Sequence, residues 1–362
     1  MERKDSVVLI PSLEPDDRLP AYIDRLKEHG LERIIVVDDG SGDNYRGIFD
    51  DIASREGVTV LTHPVNRGKG AALRTGYEYL MRDKPCAGVI TADADGQHTA
   101  EDVAALADAL AKGGESVLLG VRDFSQKGVP WKSFCGNRLT TFFFFLASGR
   151  WVTDTQTGLR AFPASLLQYM TEIDGDRYEY EMNVLLCCAR DRIPFVTLPI
   201  TTVYENNNEG SHFHPFRDSW RIYKIILRQI GRFLLSSVLS TVLDFLICFL
   251  LYEVLRPLFA VEATKELVAM VIARVASATF NFFLNKDFVF KVKKGGKHAL
   301  LKFFALCVGV FLAQFCMLRL LHGVIGIGER LATVIGNVII FFPNYHIQQH
   351  WIFGKNEKEK NA

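Results

Sequence analysis

Four long hydrophobic segments fill the second half of this 362-residue chain and constrain its fold more than any other feature. They lie near residues 231 to 255, 266 to 290, 299 to 324 and 329 to 353, and each is close to the roughly 20 residues that a membrane-spanning helix needs. Stretches such as FLLSSVLSTVLDFLICFLLY leave no polar face at helical spacing, which argues against buried helices of a soluble domain. The sequence therefore predicts four transmembrane helices.

The links between these segments predict their orientation in the membrane. KVKKGGKH, which follows the second segment, holds four lysines, whereas the first and third links hold only Arg256, Lys265 and Arg330 between them. Lysine and arginine concentrate in cytoplasmic links. We therefore expect the middle link, both termini and the whole N-terminal half to be cytoplasmic. The first residues, MERKDSVVLIPS, agree because they lack the apolar region of a signal peptide.

The second half also repeats itself weakly, which predicts two helical hairpins related by duplication. NFFLNKDFVF in the second segment matches NYHIQQHWIF in the fourth, and the first segment matches the third. The matched pairs are Arg232 with Lys302, Phe233 with Phe303, Asp244 with Gln314, Phe245 with Phe315, Asn281 with Asn344, Phe288 with Trp351, and Phe290 with Phe353.

Four polar residues lie inside or near the hydrophobic segments, namely Asp244, Arg274, Asn281 and Asn285. Polar groups are costly in the hydrocarbon layer, so these side chains either join helices or line a polar path.

The first 200 residues alternate short β-rich runs with amphipathic helical stretches. SVVLIP, RIIVVDD, VTVLTH, CAGVITAD and ESVLLG have the composition of strands. Strands that alternate with helices in this rhythm form right-handed βαβ units in a parallel sheet. The fold class of this half is therefore α/β, and its ligands should bind beyond the carboxyl ends of the strands.

Charge and cysteine content exclude several classes of protein. The chain has 42 Lys and Arg residues and 41 Asp and Glu residues, so it lacks the basic excess that is typical of a nucleic-acid-binding protein. The seven cysteines show no Cys-x-x-Cys motif and no paired spacing, which argues against a structural zinc site and against a disulfide framework.

Three of the predicted strands have ends that should meet at one edge of the sheet, and each carries acidic residues. The first strand ends at Pro11 and Glu14, the second at Asp38 and Asp39, and the fourth at Asp93, Asp95 and Gln97. Two carboxylates two positions apart, with an amide oxygen two residues further on, suit Mg²⁺ or Mn²⁺ with positions left open for diphosphate oxygens. An isolated Asp-x-Asp can also precede a capped helix, and Thr99 with Asp102 fits a capping box.

Basic and aromatic residues suit a membrane surface in two places. Arg138 stands just ahead of TTFFFFLASGRW, which is too short to span a bilayer but suited to its interface, and aromatic core packing is the alternative. A basic stripe at helical spacing precedes the first span and consists of Arg217, Arg221, Lys224 and Arg228. The stripe predicts either an interfacial helix on anionic lipid or simply the positive cytoplasmic flank of a span.

The motifs IPSLEPDD, VVDDGSGD, HPVNRGKGAALRTG, TADADGQH and DTQTGLRAF together resemble the GT-A fold family-2 glycosyltransferases. The similarity is to their dolichol-phosphate mannose synthase and GtrB-like polyprenyl-phosphate branch, and it covers nearly all of residues 6 to 220. The second half separately resembles the GtrA-like four-helix membrane domain. One departure is that the first strand ends in PSLEP where the family often has PxYNE, so Leu13 replaces an aromatic that could contact the base.

The resemblance implies a role for individual residues. The nucleotide site would be formed by Pro11, Glu14, Asp38, Asp39, Lys69 and Asp93. Mg²⁺ or Mn²⁺ would be bound by Asp93, Asp95 and Gln97, and the catalytic carboxylates would be Asp93, Asp95 and Asp154. Apart from the resemblance, we expect Arg138 and Arg160 to hold the acceptor phosphate by bidentate contacts, with Arg122 and Ser211 as the next candidates. Lys69 would touch phosphate at a helix N-terminus, and a plain helix start is the alternative reading of NRGKG.

These features predict a GT-A domain that transfers a single hexose from a nucleotide diphosphate sugar to a polyprenyl phosphate at the cytoplasmic membrane face. We expect a metal-dependent, inverting reaction with UDP-glucose favoured as donor and GDP-mannose as the other candidate. The alternatives are a lipid-linked sugar flippase with a nucleotide-sensing soluble domain and a processive polysaccharide synthase, although the QxxRW motif of polysaccharide synthases does not occur.

The expected partners are the sugar donor, the lipid acceptor, membrane lipids and a second copy of the chain through the membrane domain, with no nucleic acid. The expected regions are 1–214 (catalytic), 215–230 (amphipathic juxtamembrane helix), 231–354 (membrane) and 355–362 (charged tail).

Overall fold

The chain, seen in a computed structural model, divides into two compact units, Met1–Ile225 and Ile226–Ala362. Several residues with predicted roles lie outside the described parts, so the predictions made for them stay predictions. They are Ser211, the lysines of the KVKKGGKH link, and the side chains of Arg217 and Arg221. The structure describes residues 2–83, 85–124, 131–201, 215–255, 262–290, 292 and 298–354.

The first unit is built on one sheet of seven strands in the order β3-β2-β1-β4-β6-β5-β7. Six strands run in the same direction, and β6 runs antiparallel to β4 and β5. The strands are β1 (Ser6–Ser12), β2 (Arg33–Asp38), β3 (Val58–Thr62), β4 (Gly88–Thr91), β5 (Val117–Arg122), β6 (Arg160–Pro163) and β7 (Phe195–Ile200). The predicted α/β class with a mostly parallel sheet is confirmed.

Helices cover both faces of this sheet. Alternate residues of β1 point to opposite faces of the sheet. Val8 and Ile10 pack in the core that includes α1, α2 and α4, whereas Leu9 contacts Gly76 of α3 on the other face. The helices of this unit are α1 (Arg18–Glu28), α2 (Arg46–Ala53), α3 (Lys69–Arg82), α4 (Ala100–Ala111), α5 (Trp131–Ser148), α6 (Leu167–Thr171) and α7 (Glu179–Arg190). A sheet buried on both faces explains the continuous apolar runs of its strands.

The strand register brings the predicted site residues to one edge. Ser12 at the end of β1 pairs with Asp38 at the end of β2, and Leu9 pairs with Thr91 at the end of β4. The loops that follow β1, β2 and β4 therefore leave the sheet side by side. Strands β6 and β7 were not predicted, and β6 begins within the DTQTGLRAF motif at Arg160.

The second unit is helical. Three helical stretches are long and apolar enough to cross a membrane, Ile230–Leu255, Glu262–Val289 and Ala299–Val324. The fourth predicted segment also forms a helix, which contains Pro343 and continues through a wide π-type turn to Ile352. The helices are α8 (Pro215–Leu255), which begins in the first unit, α9 (Glu262–Leu284), α10 (Ala299–Leu318) and α11 (Glu329–Ile347).

Side-chain contacts in this unit follow the predicted duplication. The guanidinium of Arg232 lies 5.4 Å from the ring centre of Phe288, and the ammonium of Lys302 lies 5.4 Å from the ring centre of Trp351. The rings of Phe233 and Tyr345 are 5.1 Å apart, and those of their counterparts Phe303 and Phe282 are 5.5 Å apart. The cation–aromatic contact within the first hairpin thus has an equivalent within the second, and the two aromatic contacts between the hairpins are equivalent to each other.

A hydrogen-bonded amide pair joins the two hairpins where equivalent positions meet. Asn285, which is fully buried, donates to Asn281 within its own hairpin and to Gln348 of the other at 2.8 Å. Gln348 in turn donates at 3.1 Å to Asn344, which is the counterpart of Asn281 in the second hairpin. Because equivalent residues contact each other, an approximate twofold axis relates the hairpins.

Gly76 provides a test of the packing between α3 and the sheet. A Cβ at Gly76 would lie 2.3 Å from a methyl carbon of Leu9, whereas a Cβ at the exposed Gly47 of α2 would meet nothing within 4 Å. We expect Gly76→Ala to destabilise the catalytic unit by about 1–3 kcal/mol through overpacking. Gly47→Ala should be neutral or stabilising because it removes a flexible residue from a helix.

The measurement is the thermal melting of purified full-length variants. An unchanged melting temperature for Gly76→Ala would contradict the close contact between α3 and β1.

Candidate active site

Asp39 holds together the loops at the edge of the sheet. Its Oδ2 accepts a hydrogen bond from the backbone N–H of Gly68 at 2.7 Å, and its Oδ1 accepts one from Arg67 at 2.9 Å. Oδ1 also lies 2.7 Å from Nδ1 of His63, whose other nitrogen meets Thr75. Gly68 has a φ of +102°, which favours glycine, and it directly precedes α3. Asp39 therefore fixes the start of α3 from the end of β2.

Asp38, Ser41 and Glu14 form a second connection at the same edge. Oδ1 of Asp38 accepts from the backbone N–H of Ser41, and Oγ of Ser41 accepts from the backbone N–H of Glu14 at 2.8 Å. Glu14 is exposed and has a φ of +49°, a strained conformation for a residue with a side chain. Strain of this kind is stored at functional sites. The half-buried Pro11 lies in the adjoining part of β1.

Lys69 connects two carboxylates from distant parts of the chain. Its Nζ lies 2.7 Å from Oδ1 of Asp93 and 3.1 Å from Oε2 of Glu181, in the first turn of α7. Burial alone would lower the pKa of Lys69, but the two carboxylates raise it above its ordinary value. Burial alone would raise the pKa of Asp93, but the charge and hydrogen bond of Lys69, together with the basic side chains of His98 and Arg122, outweigh burial and lower the pKa to about 2. The site therefore contains a fixed ion pair in which both groups are charged near neutral pH.

Gly158 lets the Asp93 carboxylate approach the backbone. A Cβ at Gly158 would lie 2.4 Å from Oδ2 of Asp93, so a side chain there would displace the carboxylate. The carbonyl of Gly158 accepts a hydrogen bond from the hydroxyl of Thr91 at the end of β4. The DTQTGLRAF segment is thus held directly against the end of β4.

The loop after β4 carries the oxygen donors predicted to bind a metal. Oδ1 of Asp95 accepts from the backbone N–H of Gln97 at 3.0 Å, and Nδ1 of the buried His98 accepts from the backbone N–H of Asp93. Burial and the negative charge of Asp93 raise the pKa of Asp95. A divalent cation would offset this repulsion between neighbouring carboxylates.

Carboxylate and amide oxygens are the donors that Mg²⁺ and Mn²⁺ prefer, so Asp93, Asp95 and Gln97 fit such an ion chemically. Among the residues that the structure describes, no group of three or more His, Cys, Asp and Glu side chains forms a ready-made metal site. Mg²⁺ usually binds through one or two carboxylates together with substrate phosphates and water. Asp93, Asp95 and Gln97 are therefore the described residues of the loop after β4 that would hold such an ion.

Asp154 and Arg122 form a bidentate ion pair beside this loop. Nε and Nη2 of Arg122 donate to the two carboxylate oxygens of Asp154 at 2.7 Å and 3.1 Å. Asp154 is fully buried, whereas the Arg122 side chain is 25% exposed. The positive charge of Arg122 also contributes to the low pKa of Asp93. In this arrangement the Asp154 carboxylate orients Arg122 and is itself shielded from solvent.

Arg160 lies in the protein interior and contacts only backbone groups among its described hydrogen bonds. The residue is 2% exposed, and its guanidinium donates to the carbonyl oxygens of Thr157, Glu181 and Thr155. These bonds tie the DTQTGLRAF segment to the first turn of α7. The prediction that Arg160 binds the acceptor phosphate gains no support from this position, because a buried guanidinium bonded to carbonyls holds the backbone in place.

Helix α5 has polar residues on its buried face and large apolar residues on its exposed face. Asn137 and Thr140 are buried, and Nδ2 of Asn137 donates to the carbonyl of Thr153 at 2.7 Å. Trp131 is 74% exposed and Phe142 is 49% exposed on the opposite face. Arg138 is exposed beside them, 5.4 Å from the ring centre of Phe134. An apolar exposed face with a basic residue is typical of a membrane-surface helix.

Two features of the site could not be assigned from the sequence. The contact of Glu181 with Lys69 depends on the position of α7, which the sequence does not predict. The role of His63 could not be predicted, since a single histidine at a strand end has no characteristic spacing. In the structure His63 is buried and contacts Asp39.

Comparisons with known proteins agree with this geometry. Residues 7–169 match the model of glycosyl transferase family 2, and residues 227–353 match the GtrA/DPMS transmembrane domain. An uncharacterised protein of Methanocaldococcus jannaschii is 31% identical over 232 residues, which are 63% of this chain and 93% of that protein.

Two relatives carry the names of enzymes that make lipid-linked sugars. A UDP-N-acetylglucosamine–dolichyl-phosphate N-acetylglucosaminyltransferase of Methanococcus voltae is 26% identical, over 63% of this chain and 97% of the relative. A polyprenol monophosphomannose synthase of Mycolicibacterium smegmatis is 25% identical, over 54% of this chain and 76% of the relative. The chain therefore belongs to glycosyl transferase family 2, with a GtrA/DPMS transmembrane domain after its catalytic domain.

Proposed function

We propose that this enzyme transfers one hexose from a nucleotide diphosphate sugar to a polyprenyl phosphate at the cytoplasmic face of the membrane, with inversion at the anomeric carbon. The observation that carries the proposal is the ion pair of Lys69 with Asp93, which places a cation and the first carboxylate of the DADGQ motif together beyond the strand ends. Purified protein incubated with labelled sugar nucleotide and polyprenyl phosphate should yield a labelled glycolipid. A flippase with a nucleotide-sensing domain would yield none.

The donor site extends from β1 to α3. Pro11, Glu14 and Asp38 lie where base and ribose would bind, and Asp39 holds the N-terminus of α3, beside which Lys69 would meet the diphosphate. UDP-glucose is our favoured donor and GDP-mannose the other candidate. The Methanococcus relative is named for a UDP-linked sugar, which supports a uridine nucleotide.

The chemistry requires little base catalysis from the protein. A phosphate monoester already carries a charge of about −1.5 to −2 near neutral pH, so an acceptor oxygen can attack the anomeric carbon directly. The bond from that carbon to the donor diphosphate breaks as the new bond forms on the opposite face. Mg²⁺ or Mn²⁺ bound by Asp93, Asp95 and Gln97 would offset the charge on the leaving diphosphate. Lys69, held from the other side by Glu181, adds a second positive charge there.

The acceptor side is formed by α5 and the arginines near it. The exposed apolar face of α5 would lie on the membrane surface, so that Arg138 faces lipid phosphates. Arg122, oriented by Asp154, would be the second phosphate-binding group. We assign Arg160 to holding the backbone of the site and keep Ser211 as a further candidate for the acceptor phosphate.

The membrane unit would keep the active site next to its lipid substrate. We propose four spans with both termini and the middle link in the cytoplasm, because the lysine-rich link and the nucleotide sugar would then share one compartment. The exposed Lys224 and Arg228 at the entry to the first span agree with a cytoplasmic flank.

Lys69 is expected to contribute mainly to donor binding. Lys69→Gln removes a charge-assisted hydrogen bond worth about 1.5–3 kcal/mol, so UDP should bind about ten- to a hundredfold more weakly in the presence of Mn²⁺. Lys112→Gln, at the exposed C-terminal end of α4, is the matched control. Calorimetric titration measures both variants, and wild-type affinity in Lys69→Gln would show that Lys69 only stabilises the fold.

The Asp95→Asn substitution tests whether the reaction requires a metal ion bound by Asp95. We expect activity to require Mg²⁺ or Mn²⁺ and the variant to fold but lose turnover by about a hundredfold, because a ligand charge is removed. Asp108→Asn, a surface carboxylate near the far end of α4 that pairs with Arg3, should keep its turnover. The measurement is initial rate against metal concentration. Full activity of Asp95→Asn in EDTA would exclude the metal role.

We expect substitution of Arg138 to weaken acceptor binding and substitution of Arg160 to destabilise the fold. Arg138→Ala should raise the acceptor KM about ten- to a hundredfold and leave the donor KM unchanged. Arg160→Met should lower the melting temperature, since three buried carbonyls lose their donor at a cost of about 2 kcal/mol or more. Arg82→Ala, exposed at the far end of α3, is the control for Arg138. An unchanged acceptor KM in Arg138→Ala would move the phosphate site elsewhere.

A further inference from the structure

Two charged residues lie at the middle of the first two spans. At about 1.5 Å per residue, Asp244 is within about 2 Å of the midpoint of Ile230–Leu255, and Arg274 is equally close to the midpoint of Glu262–Val289. The other charged residues of the three described spans lie closer to a span end. Long side chains near an end can reach the headgroups, but those at the midpoint cannot.

These two residues form an ion pair that is buried on one side only. Nη2 of Arg274 lies 3.2 Å from Oδ2 of Asp244, and Oδ1 of Asp244 accepts a hydrogen bond from Ser277 at 2.8 Å. The Asp244 side chain is 15% exposed, whereas the Arg274 side chain is 78% exposed. The carboxylate is therefore held within its own hairpin, while most of the guanidinium projects from the surface of the unit.

The equivalent positions of the second hairpin carry an uncharged pair. Asp244 corresponds to Gln314 and Arg274 to Asn337, and Nε2 of Gln314 donates to Oδ1 of Asn337 at 3.1 Å. The duplication has thus kept a hydrogen bond between the two helices of each hairpin at mid-depth. A neutral amide pair is sufficient for that purpose, so packing within the hairpin does not explain the charges of the first pair.

We propose that the face of Asp244 and Arg274 is the contact between two copies of this chain in the membrane. Lipid tails cannot solvate an exposed guanidinium at this depth, and groups of this kind face protein or a polar path. The Asp–Arg pair is complementary to itself, because a twofold axis beside it places the Arg274 of each copy next to the Asp244 of the other. Twofold dimers are the commonest closed assembly and require such a self-complementary patch.

Cys248 provides a reporter on this face. It follows Asp244 by one helical turn and therefore projects from the same side of α8. Cys316 is exposed on α10 of the other hairpin, away from the proposed contact. In a dimer of this kind the two Cys248 residues approach each other and the two Cys316 residues do not.

The test transplants the neutral pair of the second hairpin into the first. Asp244→Gln combined with Arg274→Asn keeps a hydrogen bond between α8 and α9 but removes the charge complementarity. Full-length protein in lipid vesicles is titrated by dilution, and the dimer fraction is measured by energy transfer between labelled copies. We expect the wild type to be dimeric and the double variant to dissociate about tenfold more readily.

Two controls make the result specific. Arg319→Gln, near a span end, should dimerise as the wild type does. With Cys248 as the sole cysteine, oxidation should produce a covalent dimer, and with Cys316 as the sole cysteine it should not. A monomeric wild type, or a double variant that dimerises and cross-links through Cys248 unchanged, would overturn the proposal and leave this face to lipid or to a polar path.

Discussion

The ion pair between Lys69 and Asp93 is the interaction on which the organisation of the catalytic unit depends. It joins the first residue of α3 to the end of β4, while Glu181 joins the same ammonium to α7. Asp39 fixes the N-terminus of α3 from β2 through two backbone amides. Arg160 holds the carbonyl of Glu181. Five separate parts of the chain, α3, β4, α7, β2 and β6, therefore converge on this charged centre.

The sequence was sufficient for those parts of the fold whose cause is local. The β-branched runs ending in acidic residues predicted β1, β2 and β4, and with them the edge where Asp93 and Asp95 lie. It was insufficient for β6, because a four-residue strand leaves almost no periodic signal. It was also insufficient for the surroundings of Arg160, since a motif does not show whether an arginine is buried. The burial of Arg160 and its hydrogen bonds to backbone carbonyls depend on the tertiary structure.

The duplication predicted from the sequence matches positions of the two hairpins but does not say which of them touch. The structure shows that equivalent residues meet across an approximate twofold axis, as Asn285 and Gln348 do. The departures from the repeat are then informative. The first hairpin has Asp244 and Arg274 where the second has two amides, and this difference marks a surface with a separate use.

The anomeric configuration of the lipid-linked product is the most direct test of the central claim. Purified full-length enzyme with a polyprenyl phosphate, UDP-glucose and Mg²⁺ would produce glycolipid for analysis by proton NMR, with GDP-mannose in a parallel reaction. We expect a single hexose joined to the lipid phosphate with the configuration opposite to that of the donor. A product of retained configuration, a chain of several sugars, or no glycolipid from either donor would contradict this claim.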